Sequence, residues 1–263
     1  MKNHLKFLSI LLIAAVSFSA FSQDEVVIEV DYMKVKPGES GKYLELEKEW
    51  KKIHEARLTM GHIVGWQLWE KMYSGAKDEY QYIAISWYEN FQKTSKPGYW
   101  KAFSELYTEE EIKKLMKKTQ DARVFVRTDV MHRVSTVENS KPTKFIVVAQ
   151  MQPAPGMTGE YVKMEREIFK PVHEKAVERG ELTTWSLWRK YPFEENDARY
   201  AVVNGFEDFS KLSEGINYSE IIKDEFPEIK MDELGEKIGK LRTRPSVQIW
   251  RLVDQVMPEP DHE

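Results

Sequence analysis

The sequence contains no cysteine. Disulfides, thiol nucleophiles, iron–sulfur clusters and cysteine zinc sites are therefore excluded. Basic residues are not in excess either: 39 Lys and Arg stand against 43 Asp and Glu. Nucleic-acid binding through phosphate attraction and electrostatic membrane anchoring have no basis in such a chain. Gly-rich phosphate loops, a nucleophile elbow and a Ser/His/Asp order are also missing. After the N-terminal region no apolar run approaches the ~18 residues of a membrane span, so no membrane insertion is expected of the mature chain.

What is present begins with a targeting pattern. Lys2 and Lys6 precede the apolar run Phe7–Val16, and Ala20-Phe-Ser22 places small residues before Gln23. Residues 1–22 read as a secretory signal peptide, with an uncleaved anchor as the alternative. The chain is expected to be exported, to the periplasm or the outside of a bacterium. Cleavage leaves 37 basic residues against 43 acidic ones, a net charge of −6.

The strongest signal is an internal repeat. Val30-Asp-Tyr-Met33, Pro37-Gly38, Gly41, Tyr43, Glu47 and Glu49 recur at identical spacing as Val148-Ala-Gln-Met151, Pro155-Gly156, Gly159, Tyr161, Glu165 and Glu167. The second copy then carries one inserted residue just before Pro171. Beyond it, His54-Glu55 matches His173-Glu174, Gly61 matches Gly180, and Trp66-Gln-Leu-Trp69 matches Trp185-Ser-Leu-Trp188. Tyr82 and Tyr200 follow in the same order. The repeat places one unit at 24–138 and another at 143–257. The polar stretch Glu138-Asn-Ser-Lys-Pro142 joins them.

Each unit reads as β-α-β-β-α-β. In the first, strands are expected at Val26–Val35, Ile63–Met72, Tyr80–Tyr88 and Val124–Val134. Helices are expected at Gly41–Met60, closed by Gly61, and from Phe91 to Lys118 with a break at Pro97-Gly98. The fold class is α+β, with two tandem ferredoxin-like units. Large apolar residues occur on both faces of each sheet, Trp66 against Trp69 and Trp185 against Trp188. A lone unit would expose one such face, so the two sheets are expected to pack face to face within one chain.

The Pro-Gly turn, the Tyr/Glu helix ending in His-Glu and Gly, and the Trp-x-Leu-Trp strand resemble the dimeric α/β-barrel superfamily. That group includes antibiotic-biosynthesis-type monooxygenases and NIPSNAP-like, EthD-like and stress-responsive barrel proteins. The resemblance implies an intrachain pseudo-dimeric α/β barrel with a pocket between helices and sheet in each half. The superfamily hosts cofactor-independent oxygenases, isomerases, cyclases, haem-degrading enzymes and proteins with no known activity. If this chain is an enzyme, the resemblance implies cofactor-independent chemistry of the oxygenase or isomerase kind, and no cofactor is expected here. Relatives that degrade haem hold iron through a His on the second helix of the unit, whereas residues 89–120 and 207–243 contain no His.

Tyr43, Glu47, Trp50 and His54 fall on one helical stripe bordering the apolar face. His54 and His173 are candidate catalytic acid–base groups, each with a glutamate nearby. The alternative is a structural helix histidine. In the second copy a kink or π-bulge before Pro171 would let His173 regain the facing of His54. Tyr43, Glu47, Trp50, Trp66 and Tyr82, with Tyr161, Glu165, Trp185 and Tyr200, are the candidate ligand-binding residues, and the expected partner is an apolar or aromatic small molecule. Further aromatics, among them Trp87, Tyr99 and Trp100, either join that site or fill the core. Arg123 and Arg127, with Arg242 and Arg244, are candidates for holding a carboxylate or phosphate. His54-Glu-Ala-Arg-Leu58 lacks the second His of a zincin helix, and His62 and His132 have Glu181 and Asp254 as counterparts, so no metal site is expected. The chain reads as a small-molecule pocket protein, an enzyme or a non-catalytic binding or envelope-stress protein. A third reading has one half active and the other as scaffold.

Overall fold

The computed structural model describes residues 26–139, 141–194 and 197–258. The export expectation for residues 1–22 lies outside them. Eight strands form one closed antiparallel barrel. The first unit supplies β1 (Val27–Val35), β2 (Gly65–Lys71), β3 (Tyr82–Tyr88) and β4 (Arg123–Glu138). The second supplies β5 (Phe145–Pro153), β6 (Thr184–Lys190), β7 (Tyr200–Phe206) and β8 (Arg242–Val256). Around the barrel the order is β1-β3-β2-β8-β5-β7-β6-β4.

The two sheets thus meet edge to edge rather than face to face. β2 pairs with β8, Trp66 opposite Val256, and β4 pairs with β6, Val137 opposite Trp185. Closure removes every strand edge, the usual liability of an open sheet. It also explains why β4 and β8 are the longest strands. β4 meets β1 over Arg123–His132 and β6 over Met131–Glu138, and β8 meets β5 over Arg242–Arg251 and β2 over Trp250–Val256, so the two partners are staggered along each long strand. Register shifts at Tyr32/Met33, Gln150/Gln152, Leu68/Trp69 and Arg133/Ser135 fall at matching places in the two halves. Such bulges sharpen the bend that closure needs.

Helices cover the outside of the barrel. In the first unit these are α1 (Ser40–Thr59), α2 (Phe91–Thr94), α3 (Tyr99–Leu106) and α4 (Glu109–Ala122). The second unit has α5 (Thr158–Met164), a π segment (Glu165–Phe169), α6 (Lys170–Glu178), α7 (Phe209–Glu214), α8 (Tyr218–Glu225) and α9 (Met231–Leu241). Gly61 and Gly180 take positive φ, 67° and 71°, and end the long helices where a Cβ would strain the chain. The expected second helix of each unit is three short ones. In the first unit Gly98, with φ 74°, starts α3 after Pro97, and Thr108 with Glu111 forms a capping box that starts α4.

Strand alternation divides the core in two. Trp66 and Trp185 point outward beneath the helices and are 1% and 0% exposed. Trp69 and Trp188 point inward and pack with Ile28, Val30, Ile85 and Trp250 inside the barrel. One Trp of each pair therefore serves each side of the sheet. No helix among the described residues is long and apolar enough to cross a membrane.

Candidate functional site

Each unit places a buried carboxylate and an imidazole on its first long helix, above the outward face of its sheet. Glu47 and His54 are both 5% exposed; Glu165 and His173 are both 2% exposed. The inserted residue of the second copy would turn everything after it by about 100° in a regular helix. The π segment Glu165–Phe169 absorbs that turn. The result is visible in the rings. His54 stacks on Trp66 with centroids 4.5 Å apart and planes 12° apart, and His173 stacks on Trp185 at 5.0 Å and 16°.

The surroundings of the two imidazoles differ. In the first unit Arg57, fully buried, donates from Nη1 to His54 Nδ1 at 2.9 Å. The same guanidinium donates to the Pro97 carbonyl (2.6 Å) and the Tyr88 hydroxyl (3.0 Å), and lies 3.8 Å from the Tyr99 ring centroid. Tyr88 donates in turn to Glu29 at 2.6 Å. The second copy has Ala176 in place of Arg57 and Phe206 in place of Tyr88. There His173 Nδ1 donates to the Phe169 carbonyl at 2.6 Å, which leaves Nε2 to accept from the Tyr218 hydroxyl at 3.0 Å. Asn204 Nδ2 donates to the same hydroxyl at 3.2 Å.

Electrostatics follow from burial. Glu47 and Glu165 are each raised to about 7 by desolvation, opposed by Arg123 and Arg242 respectively. His173 is lowered to about 4 by desolvation, and His54 is held well below its ordinary value by burial and by Arg57. Both imidazoles are neutral at pH 7, and both glutamates are near half-ionised. Glu47 Oε1 and Arg123 Nε lie 3.8 Å apart, and neither makes a hydrogen bond. In the second unit Arg242 Nε, the Tyr161 hydroxyl and Asn204 Oδ1 are likewise buried without a hydrogen-bond partner.

Each unit has a cavity at this place. The first is about 210 Å³ and polar, bounded by Asp31, Glu47, Trp50, His54, Trp66, Ser86, Tyr99 and Arg123. The second is about 380 Å³ and mostly apolar, with Glu165, His173, Asn204, Tyr218, Arg242 and Arg244 among side chains such as Val202, Ile222 and Leu234. Of the residues expected from sequence, Glu47, Trp50, His54 and Trp66 line the first cavity, and Glu165 and His173 the second. Tyr43 and Tyr82 pack against each other behind the first (4.7 Å), as Tyr161 and Tyr200 do behind the second (5.3 Å). Trp185 supports His173 from below. Arg127 lies apart, over the Tyr32 ring near one end of the barrel.

Arg57, Tyr218 and Asn204 were not expected at the site. Arg57 reads in sequence as one more solvated helix charge, and Tyr218 lies in a segment that reads only as helical. Among the described residues no three His, Asp or Glu side chains group as a metal site. Asp254, expected as the counterpart of His132, pairs with Lys51 at 2.6 Å, and the register instead puts Arg251, opposite Phe145, in the place that His132 holds opposite Val27. An axial haem ligand needs an imidazole nitrogen open to a cavity. Both nitrogens of His173 are engaged, and His54 gives Nδ1 to Arg57 above a cavity smaller than a tetrapyrrole. These residues do not fit haem.

No family model and no curated protein sequence matches the chain. Solved structures do. A protein provisionally assigned as a monooxygenase from Lactobacillus acidophilus superposes with TM-score 0.56 at 7% identity, covering 87% of this chain and 93% of that one. A second protein with the same provisional assignment, from Fusobacterium nucleatum, gives 0.56 at 11%, covering 88% and 94%. A chlorite dismutase variant from Candidatus Nitrospira defluvii gives 0.52 at 7%, covering 89% and 92%. Identities this low carry the fold and no activity. With the repeat, the closed eight-strand ring and the helix layer outside it, they establish that the chain has the dimeric α/β-barrel fold, both halves of the pseudo-dimer lying in one polypeptide.

Proposed function

We propose that the second-unit cavity binds a compact, largely apolar molecule bearing one acidic O–H or C–H and transfers that proton to Glu165. The observation that carries this reading is the Glu165 carboxyl, held near 7 on the wall of a mostly apolar cavity that Arg242 and Arg244 also face. A base works best when its pKa lies near the working pH. The proton leaves the substrate, its electron pair stays behind as the anion, and Glu165 becomes the neutral acid. Arg242 and Arg244 face the same space and favour that anion. Asn204 Oδ1, on the cavity wall, is an unsatisfied acceptor ready to hold a polar end. Proton removal is a first step that cofactor-free oxygenases and isomerases share, so the site suits either.

In this reading His173 positions Tyr218, since neither of its nitrogens is free to take a proton from a ligand. The first unit is scaffold in this reading, because its cavity is the smaller, about 210 Å³ against 380 Å³, and its imidazole is tied to the buried Arg57. The competing reading is a binding protein without turnover. It is favoured by the same engaged histidines, and it predicts that the ligand keeps its proton.

4-Nitrophenol separates the two, because its phenolate is visible by absorption. Proton transfer predicts binding as phenolate, a shift to the neutral phenol in Glu165→Gln, and loss of binding in Gly235→Leu. A Cβ at Gly235 meets nothing within 4 Å, and the position lines the cavity, so a leucine there can enter the space with no clash at its Cβ. Binding as the neutral phenol supports the non-catalytic reading. Binding unchanged by Gly235→Leu removes the cavity from consideration.

Export is a separate part of the proposal and rests on residues 1–22. N-terminal sequencing of the mature protein is expected to begin at Gln23; an intact Met1 in the exported fraction contradicts cleavage.

A further inference from the structure

An eight-strand barrel is just wide enough for its inward side chains to fill it or to enclose one small ligand. This barrel encloses a cavity of about 650 Å³, on the opposite face of the sheet from the two helix-side cavities. Close-packed interiors do not leave voids of that size. Its walls include four tryptophans, Trp69, Trp87, Trp188 and Trp250. Trp87 and Trp188 meet edge to face, with centroids 5.5 Å apart.

The two ends of the barrel differ. One is plugged by a polar cluster: Lys190 Nζ bridges Asp129 (2.9 Å) and Asp197 (2.7 Å), beside the Tyr32 and Tyr80 rings. At the other end the cavity is bordered by Gln67, Gln255 and the connection between the units, including Thr143 and Lys144. The lumen is therefore a cup with mainly apolar walls, among which Arg133, Gln150 and Ser186 are the polar exceptions, and with polar groups at both ends.

The indoles supply the chemical detail. Trp188 Nε1 donates to Ser186 (2.7 Å), Trp250 Nε1 to Gln248 (2.9 Å), and Trp69 Nε1 makes a longer contact with Gln67 (3.4 Å). Trp87 Nε1 is buried and has no acceptor. On β3, Trp87 shares the inward face of Ile83 and Ile85. A buried donor without a partner carries a desolvation penalty that an acceptor on a bound molecule would remove.

We propose that the barrel lumen is a second small-molecule site, taking a flat or elongated apolar molecule whose hydrogen-bond acceptor meets Trp87 Nε1. The site is independent of the Glu165 cavity and needs no chemistry. Its ligand class is an aromatic or long-chain carbonyl or ether compound, since four indoles favour a flat or extended apolar body and one N–H asks for one acceptor.

The test uses two fluorescent probes on the purified protein. PRODAN (6-propionyl-2-dimethylaminonaphthalene) is a flat apolar ketone, and N-phenyl-1-naphthylamine has no carbonyl. Both are expected to bind with blue-shifted emission excited through the tryptophans. Trp87→Phe keeps a ring and removes the donor; it is expected to weaken PRODAN about tenfold and to leave N-phenyl-1-naphthylamine unchanged. Ala201→Phe, which fills the lumen, is expected to abolish both signals, and Gly235→Leu in the other cavity to change neither. Val203→Phe, also inward on β7, replaces Ala201→Phe if circular dichroism shows that variant unfolded. The proposal is overturned if neither probe binds, if Gly235→Leu rather than the lumen variants removes binding, or if Trp87→Phe leaves PRODAN affinity intact.

Discussion

Arg57 Nη1 donates to His54 Nδ1 at 2.9 Å, so the first-unit imidazole, neutral at pH 7, carries its proton on Nε2. Its counterpart His173 donates from Nδ1 to a backbone carbonyl and carries the proton there. Two histidines at matching positions of the repeat thus hold opposite tautomers, one set by the Arg57 guanidinium and the other by the Phe169 carbonyl. Nitrogen-15 NMR of the imidazoles at pH 7 is expected to show one Nε2–H and one Nδ1–H ring. Two rings of the same tautomer contradict the assignment.

Replacing Arg57 with Ala, the residue of the second copy, leaves His54, Tyr88 and the Pro97 carbonyl without their buried donor. Loss of one member of a buried charged network typically destabilises by about 3–5 kcal/mol. Urea unfolding is expected to show a loss of that size; a loss below ~1 kcal/mol places Arg57 outside the packed network.

Glu165 sets a pH dependence of definite sign. Its folded value, about 7, lies above the 4.5 of an unperturbed glutamate, so the folded chain holds the proton more tightly. The carboxyl contributes no penalty below pH 4.5, and stability falls as pH rises from 4.5 to about 7. The limit is ~3 kcal/mol. Glutamine resembles the protonated form. Thermal unfolding is expected to show Glu165→Gln more stable than the parent at pH 8 and equal to it at pH 4.5. An equal difference at both pH values contradicts the shift.

His173 acts in the opposite direction. Burial lowers it from 6.5 to about 4, so its contribution is full above pH 6.5 and is lost as pH falls toward 4. Proton NMR is expected to show no titration of this ring between pH 5 and 8. A midpoint near 6.5 refutes the buried, neutral assignment.

The π segment is a third lever. Deleting Ile168 restores the residue count of the first copy and turns α6 by about 100° if the helix regularises. His173 then loses Trp185 and Tyr218. The deletion variant is expected to lose 4-nitrophenol binding and to unfold earlier in urea; wild-type binding in a folded deletion variant shows that the facing of His173 is dispensable.

Much of this was legible in the sequence, for physical reasons. Periodicity and the repeated Trp-x-Leu-Trp strand exposed the element order, and a two-faced apolar sheet required a partner. The one-residue insertion before Pro171 required a helix defect, and the π segment lies there. Edge-to-edge closure was not legible, because apolar alternation shows which face is buried but not which strand pairs at an edge. Nor was the inequality of the halves. Arg57 and Ala176 differ plainly in sequence, yet an arginine on a helix reads as solvated until its buried partners, far along the chain, are seen. Tyr218 escaped notice because its role depends on where α8 begins against Asn204 of β7.

The most direct measurement is a carbon-13 NMR titration of the Glu165 carboxyl, assigned by its disappearance in Glu165→Gln. A midpoint near pH 7 that moves when 4-nitrophenol binds establishes a poised base facing the ligand. A midpoint near 4.5, indifferent to the probe, shows an ordinary solvated carboxylate and contradicts the proposed proton transfer.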